Sequence, residues 1–408
     1  MHRGGLMILR DLRVIEGASF VAAPSCGMHL AQMGAEVIRF DMIGGGPDSG
    51  RWPLSPEGRS LFWEGLNKGK KSIAIDLRRP EGRELAMSLI TAPGQGGGVF
   101  VTNFPVDGFL SHARLAALRP DLITARIMGH ADGRQAVDYT VNNAVGLPHM
   151  TGPEGGEPVN HVLPAWDLLA GAHATFSLLA AERMRRDTGL GQEIRLPLSD
   201  LAMTTLGALG QIAEVSISGH SRPRYGNALF GAFGRDFETA DGRRVMLVAI
   251  TEGQWSSLLK ALGIADAIAA IERELSVSFA RDEGTRFIHR DRLFPVVADA
   301  VRGRSFEDLA ATLDAHGVCW SPYRQLHEAL RDDPDFSLSN PVFSEITHPS
   351  GHSYLTPASA ASFSRVERMA AARAPRLGEH TEEVLANVLG LAGAQIADLH
   401  DRGLVASS

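Results

Sequence analysis

The chain predicts an α/β fold: a mostly parallel sheet covered by helices, followed by a smaller domain and a tail that returns to the first. Three observations carry that expectation. Strand-like and helix-like segments alternate through the first half. Composition shifts to a polar, Gly/Pro-bearing stretch (SGHSRPRYGN) at residues 218–227. Beyond about Asp333, the Pro-spaced phrases NPVF, HPSG, TPAS and APRLGEHT describe a chain travelling over a surface.

In order, residues 13–16 (RVIE) read as a strand, 24–33 (PSCGMHLAQM) as a helix ended by Gly34, and 36–40 (EVIRF) as the next strand, a βαβ unit. The alternation continues with a strand at 72–77 (SIAIDL), a helix from Pro80, and strands at 98–104 (GVFVTNF) and 122–128 (LITARIM). From Pro164 a long apolar helix runs to about Arg186, where TGLG ends it, and a second helix spans about 199–218. Past the linker, GRDFETADGRRVMLVAI reads as a hairpin turning at Asp241-Gly242, with helices near 254–262 and 306–316. The expected domains are 1–217, 218–333 with the linker, and 334–408 returning to the first.

Composition excludes several functions. The net charge of −7 and pI near 6.1 give no basic field for nucleic acid. Two cysteines, Cys26 and Cys319, without C-x-x-C or Cys/His spacing suggest neither a disulfide framework nor zinc, so no metal is expected. The N-terminal segment lacks a signal-peptide core, and Asp167 and His173 interrupt the longest apolar run, so the expectation is a cytoplasmic chain that spans no membrane. The turn after the first strand reads GASFVAAP, without the G-x-G-x-x-G of a dinucleotide fold, and P-loop, zincin and nucleophile-elbow motifs are absent.

The ordered phrases LRVIEGASFVAAPSCGMHLAQMGAEVIRFD, LNKGKKSIAIDLRRPEGRE, VTNFP, LPAWDLLAGAHATFSLLAAERMRRDTGLGQEIRL and APRLGEHTEEVL resemble the family III coenzyme-A transferases along nearly the whole chain. The resemblance implies a Rossmann-like large domain built from both termini, an inserted smaller α+β domain and an interlocked homodimer. It also implies an acyl-CoA substrate, coenzyme A being part of that substrate with no permanently bound cofactor. In PAWDLLAG it places the nucleophile at Asp167. Taken locally, an Asp just ahead of a long helix is a capping residue, and the two roles are compatible because helix-end N–H groups favour an ionised carboxylate.

For CoA the resemblance points to Val21, Ala22, Ile75, Arg78, Asn103 and Phe104, with Arg39, Lys70 and Lys71 as further candidates for the phosphates; any of these cations could equally be plain solvated surface. Where some members carry an arginine after the second strand this chain has Met42, which leaves the adenine contacts open. Arg126, His130, Asn142 and His161, in the loops expected to precede Asp167, are candidates for a substrate carboxylate. Two departures narrow the chemistry. The family's racemases use a His where AVDYTVNN has Val137, so proton shuttling at an α-carbon loses its base. The glycine run of intermolecular transferases is replaced by the bulkier GNALFGAF at 226–233, a stiffer cover suited to a substrate that stays bound. The expectation is CoA transfer between the two carboxyls of one small diacid; transfer to a separate dicarboxylic acid is the alternative, and a non-catalytic CoA-binding protein the alternative of another class.

Overall fold

The computed structural model describes residues 7–408; the first six, part of the N-terminal segment considered for a leader, lie outside the described residues. The chain forms two compact units, one taking residues up to Val145 with His161–Gly219 and Asp333–Ser408, the other Gly146–Asn160 with His220–Asp332. The assignment of Gly146–Asn160 to the second unit falls on a Gly/Pro-rich stretch, GLPHMTGPEGGEPVN, that the expected domain bounds left in the first.

In the first unit, strands β1 (Arg13–Gly17), β2 (Glu36–Met42), β3 (Lys71–Ile75), β4 (Val99–Thr102), β5 (Ile123–Met128) and β6 (Gln192–Pro197) run parallel. Their order is β3-β2-β1-β4-β5-β6, and the C-terminal strand Val405–Ala406 closes the β3 edge antiparallel. Strand β1 is central, with Ile15 in register with Ile38 on one side and Phe100 on the other. Because β4 is covered on both faces, it reads as a nearly continuous apolar run, as parallel strands do, whereas the equally buried β1 carries the charged Glu16. Ile15, Phe40, Ile73 and Phe100 pack with residues of the helices Pro80–Ile90, His112–Leu118 and Thr381–Leu389. Helices Ala22–Gln32 and Ala165–Thr188 pack against each other and against the same sheet.

Strand β6 was hidden from sequence because it is a half-exposed edge with little apolar signal. The single helix expected over 199–218 is two, Leu198–Ala208 and Gln211–Ser218, since Gly210 at φ +73° breaks the run.

The second unit holds β7 (Phe233–Glu238), β8 (Arg244–Ala249) and β9 (Cys319–Pro322), all antiparallel. The hairpin turns where the sequence predicted, with Gly242 at φ +76°. Phe233, Phe237, Trp255, Phe279 and Phe294 form its core. In the returning tail, the segment expected to travel over a surface contains a hairpin, β10 (Phe343–Thr347) with β11 (Ser353–Pro357). Among the described residues, no helix is long and apolar enough to cross a membrane.

Candidate active site

In an open parallel sheet, a crevice forms at the carboxyl ends of two neighbouring strands whose connections leave in opposite directions. Here that point lies between β1 and β4. Thr102 Oγ1 donates to Gly17 O at 2.7 Å, and Asn103 grips the β1 turn from both sides. Its Oδ1 accepts from Ser19 N at 3.0 Å and its Nδ2 donates to Ser19 O at 2.7 Å. The next residue, Phe20, sits at φ +67°, a left-handed conformation that costs a non-glycine residue about 1–2 kcal/mol. Strain of that kind, held by surrounding contacts, points to function. Val21 then caps the helix Ala22–Gln32.

The long helix Ala165–Thr188 closes on this turn. At Gly171 a Cβ would meet Ser25 Oγ at 2.1 Å and Ala22 O at 2.9 Å, so only glycine permits the helices to approach this closely. Asp167 lies one turn earlier on the same face. It occupies the first helical turn, but it does not cap it. The buried carboxylate of Asp138 does so from another element: its Oδ2 accepts from Trp166 N at 2.7 Å and Asp167 N at 3.1 Å. Its Oδ1 lies 2.6 Å from His161 Nε2, and Trp166 Nε1 donates to Asn142 Oδ1 at 3.2 Å.

The Asp167 carboxylate is therefore left without a hydrogen bond or ion pair among the described residues. Burial, reinforced by the nearby negative charge of Asp138, pushes its pKa up to about 6, against a smaller downward pull from Arg51. The Arg51 guanidinium carbon lies over the rings of Phe20 and Phe62, 5.3 Å from each centroid. At neutral pH the site thus presents an ionised, partly buried carboxylate with raised basicity, an arrangement suited to nucleophilic attack.

Residues 9–381 match the sequence model of CoA-transferase family III. The chain belongs to this family. It is 51% identical over 401 residues, covering 98% of each chain, to the 2-methylfumaryl-CoA isomerase of Chloroflexus aurantiacus. A succinyl-CoA–D-citramalate CoA-transferase of the same organism is 28% identical over 97% of this chain and 98% of its own. Among solved structures, a CAIB/BAIF family protein from Brucella suis superposes with a TM-score of 0.76 at 27% identity, over 94% of this chain and 99% of the other.

Within this family III transferase, the residues expected to bind ligand separate into two groups. Val21, Ala22, Asn103 and Phe104 gather at the β1/β4 crevice. Arg78, beyond the end of β3, is exposed and paired with Asp76 at 2.8 Å, while Lys71 bridges Glu36 and Glu383 at 2.6 and 2.8 Å on the surface.

The others are internal. Arg39, expected at a phosphate, is wholly buried and binds Asp41 at 2.8 Å and Asp48 at 2.9 Å. Burial opposes its charge, but Asp41, Glu16 and Asp48 together hold its pKa above the ordinary value. Lys70 is likewise enclosed, donating to Glu16 Oε1 at 2.9 Å and Pro24 O at 2.8 Å. Ile75 is a core side chain with its backbone in the sheet. Arg126, expected to face substrate, is turned inward and donates to Phe104 O and Pro105 O at 2.8 Å and Leu110 O at 2.9 Å, stapling the loop after β4. Asn142 and His161 are engaged around Trp166 and Asp138, and His130 lines an open cleft of about 530 Å³ with Arg134, Ser199, Asp200 and Met203.

Sequence reasoning missed Phe20, Arg51 and Asp138. The glycine-rich IGGGPDSGR before Arg51 marked a turn beside β2 and could have drawn attention to it. Nothing in the sequence marks Phe20 as left-handed.

Proposed function

We propose that this transferase moves CoA between the C1 and C4 carboxyls of 2-methylfumarate, converting 2-methylfumaryl-CoA to 3-methylfumaryl-CoA, with Asp167 as the nucleophile. The unengaged carboxylate of Asp167, freed from capping by Asp138, is the observation that carries the catalytic assignment. The substrate assignment rests on the 51% identity to an isomerase of that specificity.

The two carboxyls are trans across a double bond and cannot reach each other, so the CoA must be held by the enzyme while the diacid turns. An Asp167 oxygen attacks the thioester carbonyl and expels the CoA thiolate, forming a mixed anhydride. The thiolate attacks the aspartyl carbonyl and releases the first carboxylate, leaving an aspartyl-CoA thioester. The other carboxylate then attacks that carbonyl, expels the thiolate and forms a second anhydride. Attack of the thiolate on the acyl carbon completes transfer and restores the Asp167 carboxylate. Every nucleophile and leaving group is an anion, so no net proton is exchanged.

Backbone at the β1/β4 crevice, Val21, Ala22, Asn103 and Phe104, would meet the CoA moiety, with Arg78 and Lys71 as the remaining basic candidates for its phosphates. The coenzyme serves as part of the substrate, with no resident cofactor. We place the protein in the cytoplasm as an interlocked homodimer, in which the large domain is assembled from both termini around the inserted one. Apolar side chains left outside on neighbouring helices of the first unit, Phe176, Leu209, Ile212 and Ile217, support a second copy. Light scattering on the purified protein tests this, and a monomer at micromolar concentration sinks it.

The function is tested by supplying 2-methylfumaryl-CoA without acceptor and following the C4 isomer, with labelled free mesaconate present. Isomer without label supports transfer within one diacid. Turnover only when succinate or another free acid is added would favour intermolecular exchange, and no turnover with CoA esters of any diacid would leave a CoA-binding protein.

A further inference from the structure

We infer that Arg51 receives the substrate's non-esterified carboxylate. The inference rests on the reading of Asp167 as the nucleophile for a diacid, and it begins from how firmly Arg51 is held. Its N–H donates to Asp48 O at 3.3 Å, and its carbonyl accepts from Ser60 Oγ at 2.6 Å. Asp48 is itself buried and gripped by Arg39 Nη2 through both oxygens, at 3.1 and 2.9 Å. The backbone that carries Arg51 is thus tied to the sheet through a buried ion pair.

The side chain is held as firmly. The rings of Phe20 and Phe62 lie at equal distance from the guanidinium, and Phe20 carries its ring there on a left-handed backbone. Among the described residues no hydrogen bond engages the guanidinium N–H groups, which match a carboxylate in a two-point fork. Among the described residues Arg51 has no carboxylate within ion-pair reach, although its positive charge is felt at Asp167. A fixed cation and a free carboxylate that approach but do not pair leave space between them for a ligand carrying both an electrophilic carbon and an anion.

That description fits a diacid esterified at one end. With its thioester at Asp167, the free carboxylate meets Arg51. After the diacid turns, the carboxylate released in the first half takes the same position, so one cation serves both halves. The nucleotide phosphates lie at the far end of the pantetheine arm, away from the thioester, and are not what a cation beside Asp167 would meet.

The test measures binding by titration calorimetry in an Asp167→Ala background, where no turnover consumes the ligand. The ligands are 2-methylfumaryl-CoA, free CoA, and (E)-2-methylcrotonyl-CoA, in which a methyl replaces the free carboxylate. Arg51→Gln should weaken 2-methylfumaryl-CoA by about tenfold or more while leaving the other two unchanged, and Arg51→Lys should fall between, since it keeps the charge but loses the fork. Unchanged affinity for the diacid ester overturns the assignment. Equal losses for all three ligands also overturn it and move Arg51 to the CoA phosphates. If the diacid-selective loss is found but the enzyme with Asp167 intact fails to isomerise the ester, the proposed reaction falls and the carboxylate site stands.

Discussion

Arg39 and Arg51 belong to the same stretch of chain and have the same side chain, yet the fold treats them oppositely. Arg39 is buried among Glu16, Asp41 and Asp48, with its guanidinium 4.6 Å from the centre of the Trp63 ring, and it pairs with all three carboxylates. Arg51 is exposed, lies over two aromatic rings and has no acidic partner among the described residues. Asp138 and Asp167 repeat the contrast: the first spends both oxygens on His161 and the helix N-terminus, and the second spends neither. In both pairs the satisfied member builds the scaffold that presents the unsatisfied one. A charge left unpaired in a preorganised position is costly for stability alone, and its retention points to a ligand.

Breaking each side of that contrast should give different losses. Asp167→Ala should lower turnover by roughly 10⁴ or more while CoA affinity stays near its original value, as expected when a nucleophile alone is removed. Arg39→Met should act on the fold instead, destabilising the first unit by about 3–5 kcal/mol in denaturant titration because it strands buried carboxylates. Activity should fall with the fold and, in the folded fraction, with the placing of Arg51, whose backbone Arg39 anchors through Asp48.

The pH profile sharpens the comparison. The proposed attack needs ionised Asp167, whose pKa burial and Asp138 raise to about 6. In single-turnover assays the rate should therefore fall about tenfold per pH unit below that value. The sign for stability is opposite. A carboxylate with a raised native pKa binds more protons folded than unfolded, so its contribution to stability falls as pH rises from the ordinary aspartate range through about 6. Asp167→Asn should accordingly raise the melting temperature at pH 7 relative to the parent, a shift absent at pH 4.

The smallest effect is expected at Asp138. Asp138→Ala removes the acceptor for two helix-end N–H groups and should cost about 1 kcal/mol. With the neighbouring negative charge gone, the acid limb of the rate profile should move to lower pH. An unmoved limb would show that the two carboxylates are not coupled.

The 226–233 segment bears on the expectation of a stiff cover. Phe230 and Tyr225 lie against Phe287 at 5.1 Å between centroids, Arg222 stacks over Phe230 at 3.6 Å, and Leu229 N donates to Gly234 O at 2.8 Å. Those contacts engage bulky residues that a glycine run could not supply.

The sequence by itself determined the alternation of strands and helices in the first half, the hairpin at Asp241-Gly242, the family and the position of Asp167, because these depend on local periodicity, turn chemistry or phrases read in order. It could not tell which cations face inward. Arg39, Lys70 and Arg126 look like ligand-binding residues in sequence, and only the packed sheet, by surrounding them with carboxylates and carbonyls, made them structural. Only tertiary structure, likewise, gave the capping of Asp167's helix to Asp138. A side chain's local propensity is a property of its neighbours in the chain, whereas its solvation and its charge partners are set by residues that folding brings to it from elsewhere.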